Sequence, residues 1–165
     1  MAETVLVHPN RDKPASKATK AIVVMLLLVS AALVAIVTVG GWDTLQGAQM
    51  ISVAYVFIYL TIAYYVQRWN RGTLPVSAGL AVLLLVVAAI AAPAWFDRDQ
   101  SGYDKPTLDA GLLGLLTLLI VPIQFLLIVF AMRGFNQQWN VEVEVARDEQ
   151  GGGRGPAGYE PQPQA

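Results

Sequence analysis

The sequence predicts an all-α integral membrane protein: a four-transmembrane-helix bundle, N-in/C-in, with a disordered C-terminal tail. Three observations predict it. Of the 165 residues 55% are hydrophobic and only 14% charged, against about 25% charged in an ordinary globular domain. The apolar residues collect in four runs of about twenty residues, each long enough at 1.5 Å per residue to cross a hydrocarbon core of ~30 Å. The basic residues fall unevenly among the segments between those runs, as they do where a membrane has two unlike sides.

The chain opens on a polar tail, residues 1–19, that turns basic towards Arg11, Lys13, Lys17 and then Lys20. His8, the only histidine, stands in this tail beside Pro9 and is expected to be solvated. The first span is 21–40. It is longer than the apolar stretch of a secretory signal and ends on Gly40-Gly41-Trp42-Asp43 with no A-x-A pattern, so it reads as a retained helix.

The second span, 47–66, is the polar one. Ala48, Ser52, Tyr55, Tyr59, Ala63 and Val66 fall on one face at helical spacing. Small residues beside tyrosine hydroxyls suit packing against another helix more often than they line a lipid or quinone groove. The third span, 74–95, is rich in Ala, Val and Leu, with small-xxx-small pairs Ser77/Ala81 and Ala88/Ala92.

The fourth span, 110–132, carries Pro122 near its middle. Proline lacks an N–H and frees the carbonyl of Leu118, so a kink is expected, with Thr117 available to satisfy a freed carbonyl and Gln124 near the opened turn. Ala110, Gly111 and Gly114 permit close approach at its start. Trp42, Trp69, Trp95, Phe96 and the Tyr64-Tyr65 pair stand at span ends, where amphipathic rings anchor at the headgroups.

Residues 133–149 form a juxtamembrane segment. Arg133 to Asn140 can extend the helix along the membrane surface, with Phe135 and Trp139 four apart. Val141-Glu142-Val143-Glu144-Val145 alternates with the period of a strand. A lone five-residue strand is marginal, so it is expected to be disordered or to await another chain's sheet edge. Residues 150–165, rich in Gly, Pro and Gln, cannot bury a core.

Nine of the eleven Lys and Arg residues lie in the N-terminal tail, the second connection (Arg68, Arg71) and the segment after the fourth span. The remaining two, Arg98 and Lys105, lie in the third connection. Both termini are therefore expected in the cytoplasm. The Ala/Val/Leu-rich spans and Gly/Pro/Gln tail look like those of small bacterial inner-membrane proteins, which implies the bacterial cytoplasmic membrane.

The outer loop, Asp97 to Asp109, holds four of the twelve acidic residues. Asp97-x-Asp99-x-Ser101-Gly102 resembles the first half of a calcium-binding loop, in which alternate oxygen side chains converge on the cation and glycine makes the turn. Leu108 replaces the bidentate glutamate of the twelfth position. The resemblance implies a weak external calcium site of Asp97, Asp99 and Ser101, with Asp104 or Asp109 completing it. Asp109 also suits the N-cap of the fourth helix.

No span contains a charged side chain, which argues against a proton-coupled pump acting alone. No Ser/His pair, aspartate dyad or His–Glu metal motif lies in any span, so no enzyme is expected. Cysteine is absent, and no basic, aromatic-rich module points to nucleic acid. The expected function is that of a non-catalytic accessory or scaffold subunit of a larger membrane assembly, touching lipid and a membrane-protein partner or copies of itself. The alternatives are an oligomeric permeation protein for a small solute or ion, and a sensor of external divalent cations. Apart from weakly held calcium, no cofactor is expected.

Overall fold

A computed structural model describes residues 4–98, 100–103 and 105–146. In chain order these form strand β1 (Thr4–Val7), a helical turn α1 (Pro9–Asp12) and the long helix α2 (Pro14–Gly40). A 3-10 turn at Trp42–Thr44 follows, then α3 (Gln49–Gln67), α4 (Thr73–Asp97), α5 (Ala110–Asn136) and strand β2 (Val143–Ala146). The four long helices are each long and apolar enough to cross a membrane, and the chain is a multi-pass membrane protein.

α2 begins seven residues before its apolar run. Pro14 occupies the first helical position, where its missing N–H costs nothing, and Lys13 before it is held extended. At 27 residues the helix is about 40 Å long, roughly two turns more than the hydrocarbon needs. Its first two turns, with Lys17 and Lys20, therefore project towards the headgroups. At the other end Gly40 and Gly41 let two side chains close in. A Cβ on Gly40 would meet Leu108 and one on Gly41 would strike the Trp95 ring. The Leu108 N–H donates to the Gly40 carbonyl at 3.0 Å, which pins the long α4–α5 connection to the end of α2.

α2 is flanked by α3 and α5, and the most extensive helix pair is α4 with α5. α3 and α4 touch only sparingly although adjacent in sequence. The α4–α5 seam follows from small residues: Ser77, Ala78, Ala81, Ala88 and Ala92 are all buried along one stripe of α4, as close backbone approach requires. α5 runs on past Met132 to Asn136, so the stretch from Arg133 does extend the helix, which ends four residues short of Asn140.

Both α3 and α5 end on residues with left-handed backbone that are not glycine: Trp69 (φ 63°) and Gln138 (φ 49°). After α3 the turn is a complete Schellman motif, with Asn70 N–H to the Tyr65 carbonyl (3.0 Å) and Trp69 N–H to that of Val66 (2.9 Å). A tryptophan in this position persists only where its side chain is fixed by neighbours. Here it packs edge-on against the fully buried Trp139, ring centroids 5.2 Å apart.

The tails overturn one expectation. β2 has a partner within the chain: it pairs antiparallel with β1 in the register Leu6↔Glu144 and Val5↔Val145. The apolar run Thr4–Val7 supplies the sheet edge that the Val/Glu alternation alone left missing. His8 is likewise not simply solvated, since its Nε2 lies 3.3 Å from Glu142 Oε1 and its side chain is largely covered. Both tails thus meet at one end of the bundle. The predicted disordered segment 150–165 lies outside the described residues.

Candidate functional site

Three buried polar side chains from three different helices meet at one place inside the bundle. Gln124 of α5 is wholly buried. Its Nε2 donates to Ser30 Oγ of α2 at 2.8 Å, and its Oε1 accepts from Tyr59 Oη of α3 at 2.8 Å. Ser30 in turn donates to the Leu26 carbonyl of its own helix at 2.7 Å. Three helices are thereby joined by one hydrogen-bonded chain in which a hydroxyl, an amide and a second hydroxyl satisfy one another, as low-dielectric surroundings demand. Tyr55, one turn before Tyr59, meets it edge-on at 5.7 Å and donates to the Leu80 carbonyl of α4 at 3.3 Å.

The stripe expected on the second span divides here. Tyr59, Ala63 and Val66 are buried together with Ile62, whereas Ala48 is exposed and Ser52 bonds only its own helix, at the Ala48 carbonyl. Thr117 also departs from expectation. Its hydroxyl donates to the carbonyl of Leu113, one turn back on its own helix, at 2.7 Å, so it does not satisfy the Leu118 carbonyl that Pro122 frees. Gln124 bridges across the bundle and not along its own turn. Ser30 carries no signal in the sequence beyond being a polar residue at mid-span, and only helix rotation reveals its partner.

A second polar cluster closes the tail end. Gln137 Nε2 donates to Thr19 Oγ1 (3.0 Å), Trp139 Nε1 to Gln137 Oε1 (3.0 Å), and Arg11 Nε to the Trp139 carbonyl (3.1 Å). Asn10 Nδ2 reaches the Gln138 carbonyl at 3.1 Å. Gly134 gives Trp139 its room, since a Cβ there would stand 3.0 Å from the indole. This indole is a wedge between the tail and the helices, not an interfacial anchor. Trp95 is equally buried, against Gly41, whereas Trp42, Phe96, Tyr64 and Tyr65 are exposed as anchors should be.

In the loop between α4 and α5 Asp97 ends α4 and is exposed, as is Ser101. Asp109 caps α5, its Oδ1 accepting from the Leu112 N–H at 2.9 Å. Asp99 and Asp104, the other two acidic members of the expected calcium set, lie outside the described residues. Arg98, which follows α4, donates to the Thr44 carbonyl at 3.2 Å. Among the described residues no group of three or more His, Asp or Glu stands close enough to hold a metal ion.

No protein-family model matches the chain, and comparison with curated proteins and with solved structures gave no match. The Tyr59–Gln124–Ser30 chain holds no carboxylate, imidazole or amine, so it offers no group able to exchange a proton near neutral pH. Its chemistry is that of helix-to-helix attachment.

Proposed function

We propose that the chain is a non-catalytic subunit of a larger membrane assembly, working through contacts made within the bilayer. One observation carries this reading: the outer half of α3 is left over by its own fold. Residues 49–58 include no buried side chain. At the corresponding end of the bundle α2 buries Leu33, Val34 and Thr38, α4 buries Ala88, Ala92 and Trp95, and α5 buries Leu113, Gly114 and Thr117. α3 is also the least apolar of the four spans. Its hydroxyls are met within the chain, Ser52 by the Ala48 carbonyl and Tyr55 by the Leu80 carbonyl, so what stands open is packing surface, which a neighbouring helix covers more closely than lipid does. The occupant is a transmembrane segment of a partner protein.

The uneven basic residues support both termini lying in the cytoplasm, and the composition of the spans supports the bacterial cytoplasmic membrane as the setting. The chain has no cysteine, which makes site-directed crosslinking clean. Ala54→Cys or Phe57→Cys, both exposed on this half of α3, should crosslink in cells to a partner that co-purifies after gentle solubilisation. Val87→Cys on the exposed side of α4 should not. Elution of the protein alone as a monomer, with no adduct at Ala54 or Phe57, would sink the proposal.

A further inference from the structure

α3 turns one stripe away from the bundle along its whole length. Met50, Ala54, Phe57, Thr61, Tyr64 and Arg68 are all exposed, and they follow one another at alternating intervals of four and three residues. At about 100° per residue that spacing keeps them on one face. The buried residues of the helix, Tyr59, Ile62, Ala63 and Val66, lie on the opposite one. A mean interval of about 3.5 residues is that of a left-handed helix pair. Ala54 and Thr61 are small enough for the close approach such a pair needs. The Thr61 hydroxyl donates to the Phe57 carbonyl of its own helix at 2.8 Å, so the stripe is apolar over the span.

The stripe ends on a cation. Arg68 follows the last residue of α3. Among the described residues the ion pairs are His8–Glu142 and Lys17–Asp12, and Arg68 meets no carboxylate. Its Nε and Nη2 donate to Tyr64 Oη at 3.2 and 2.9 Å, and its Cζ lies 5.3 Å from the centre of the Tyr64 ring. The side chain is therefore folded back one turn along the stripe, towards the span. An arginine that reaches for headgroup phosphates extends the other way. Phenol and ring hold the guanidinium in place but supply no full negative charge. These bonds use two of its five N–H groups, and the Tyr64 hydroxyl, which accepts both, has its own proton to give.

Given α3 as the docking face proposed above, we propose that the transmembrane segment lying on it carries an aspartate or glutamate at the level of Arg68. The partner is an apolar helix that runs along the whole stripe, closest at Ala54 and Thr61. Its carboxylate accepts from the open guanidinium N–H groups and from the Tyr64 hydroxyl. Paired, charge-assisted bonds are the usual way in which arginine holds a carboxylate. Placed at the end of the span, the ion pair fixes how far the partner helix slides along α3, which apolar contacts alone leave open.

The test is made in cells on the full chain carrying Phe57→Cys, with Arg68 changed in that background. Arg68→Gln should lower the crosslinked adduct roughly tenfold, the effect of one charge-assisted hydrogen bond in an interface, and Arg68→Glu should abolish it. Arg68→Lys supplies a primary amine at the same place. A carbodiimide should then join that amine to the partner's carboxylate in a zero-length amide, found by mass spectrometry on the protein that Phe57→Cys captures. An undiminished adduct in both Arg68→Gln and Arg68→Glu would overturn the carboxylate and leave α3 as a docking face. No adduct from Phe57→Cys alone would overturn the docking face and the carboxylate with it. If Arg68→Gln strips bound phosphatidylglycerol from the purified chain and leaves the adduct intact, Arg68 serves a lipid and the proposal falls. Should the Arg68→Glu chain fail to accumulate, Arg68→Lys decides: absence of an amide to the captured protein overturns the proposal.

Discussion

Gln124 should be energetically coupled to Tyr59, and the size of the coupling follows from the bonds each substitution removes. Tyr59→Phe deletes one hydrogen bond of 2.8 Å and leaves Gln124 Oε1 without its donor. Gln124→Leu deletes two and strands the Tyr59 hydroxyl, whereas Ser30 keeps its own acceptor at Leu26. Bonds of this kind between membrane helices contribute about 0.6 kcal/mol on average and up to about 1.7. Stranding a buried hydroxyl adds roughly 1 kcal/mol or more. Tyr59→Phe should therefore cost about 0.6–1.7 kcal/mol and Gln124→Leu about 2–4 kcal/mol. In the Tyr59→Phe background the second substitution removes only the Ser30 bond and strands nothing, so it should be cheaper by about 1.6–2.7 kcal/mol. The assay is unfolding in mixed micelles of increasing denaturant-detergent fraction, followed by circular dichroism and tryptophan emission for the wild type, both single variants and the double variant. Additive costs, within the ~0.3–0.5 kcal/mol error of such cycles, would refute the bond between the two side chains.

Two further outcomes concern the tails. Leu6 and Glu144 oppose each other directly across the ribbon, so Leu6→Cys with Glu144→Cys should form an intramolecular disulfide on mild oxidation, read as faster gel migration of a monomer. Leu6→Cys with Val143→Cys, one residue out of register and on the other face, should not. A crosslinked dimer from the first pair would show that the strands pair between chains. Gln138→Gly should tighten the ribbon, because glycine removes the cost of a left-handed backbone, about 1–2 kcal/mol, against an entropic loss of about 0.4–1 kcal/mol. The hydrogen bond from Asn10 to the residue 138 carbonyl survives the change. Slower amide exchange over Val141–Val145 is the expected reading, and faster exchange would contradict it.

The four spans were legible in the sequence because length and hydropathy are local properties, and their ends shifted mainly where proline and capping groups extend a helix. Pro14 moved the start of α2 seven residues back, and Asp109 caps α5 as its position suggested. The ribbon was not legible. Thr4–Val7 is only four residues long, and its partner lies at the far end of the chain. Pattern reading finds a strand but not the strand it pairs with. The same holds for the buried polar chain. Tyr59 and Gln124 each stood out as polar residues inside a span, but their meeting depends on how α3 and α5 rotate about their axes. That rotation is set by the whole packed interior, including the small-residue stripe of α4.

The pairing of the first strand with the last also fixes an order of events in biosynthesis. Thr4 and Ala146 are opposite one another, 142 positions apart (146 − 4), and all four membrane crossings lie between them. At about 5–20 residues per second, β1 waits roughly 7–30 s after its synthesis before β2 exists. Throughout that interval it presents an unpaired edge, the feature that invites wrong partners. The two strands can meet only if an even number of crossings has been made, because otherwise they emerge on opposite faces of the bilayer. A chain that misses one insertion leaves its first strand open. The closed ribbon, with Trp139 packed behind it, is thus the mark of an even number of crossings.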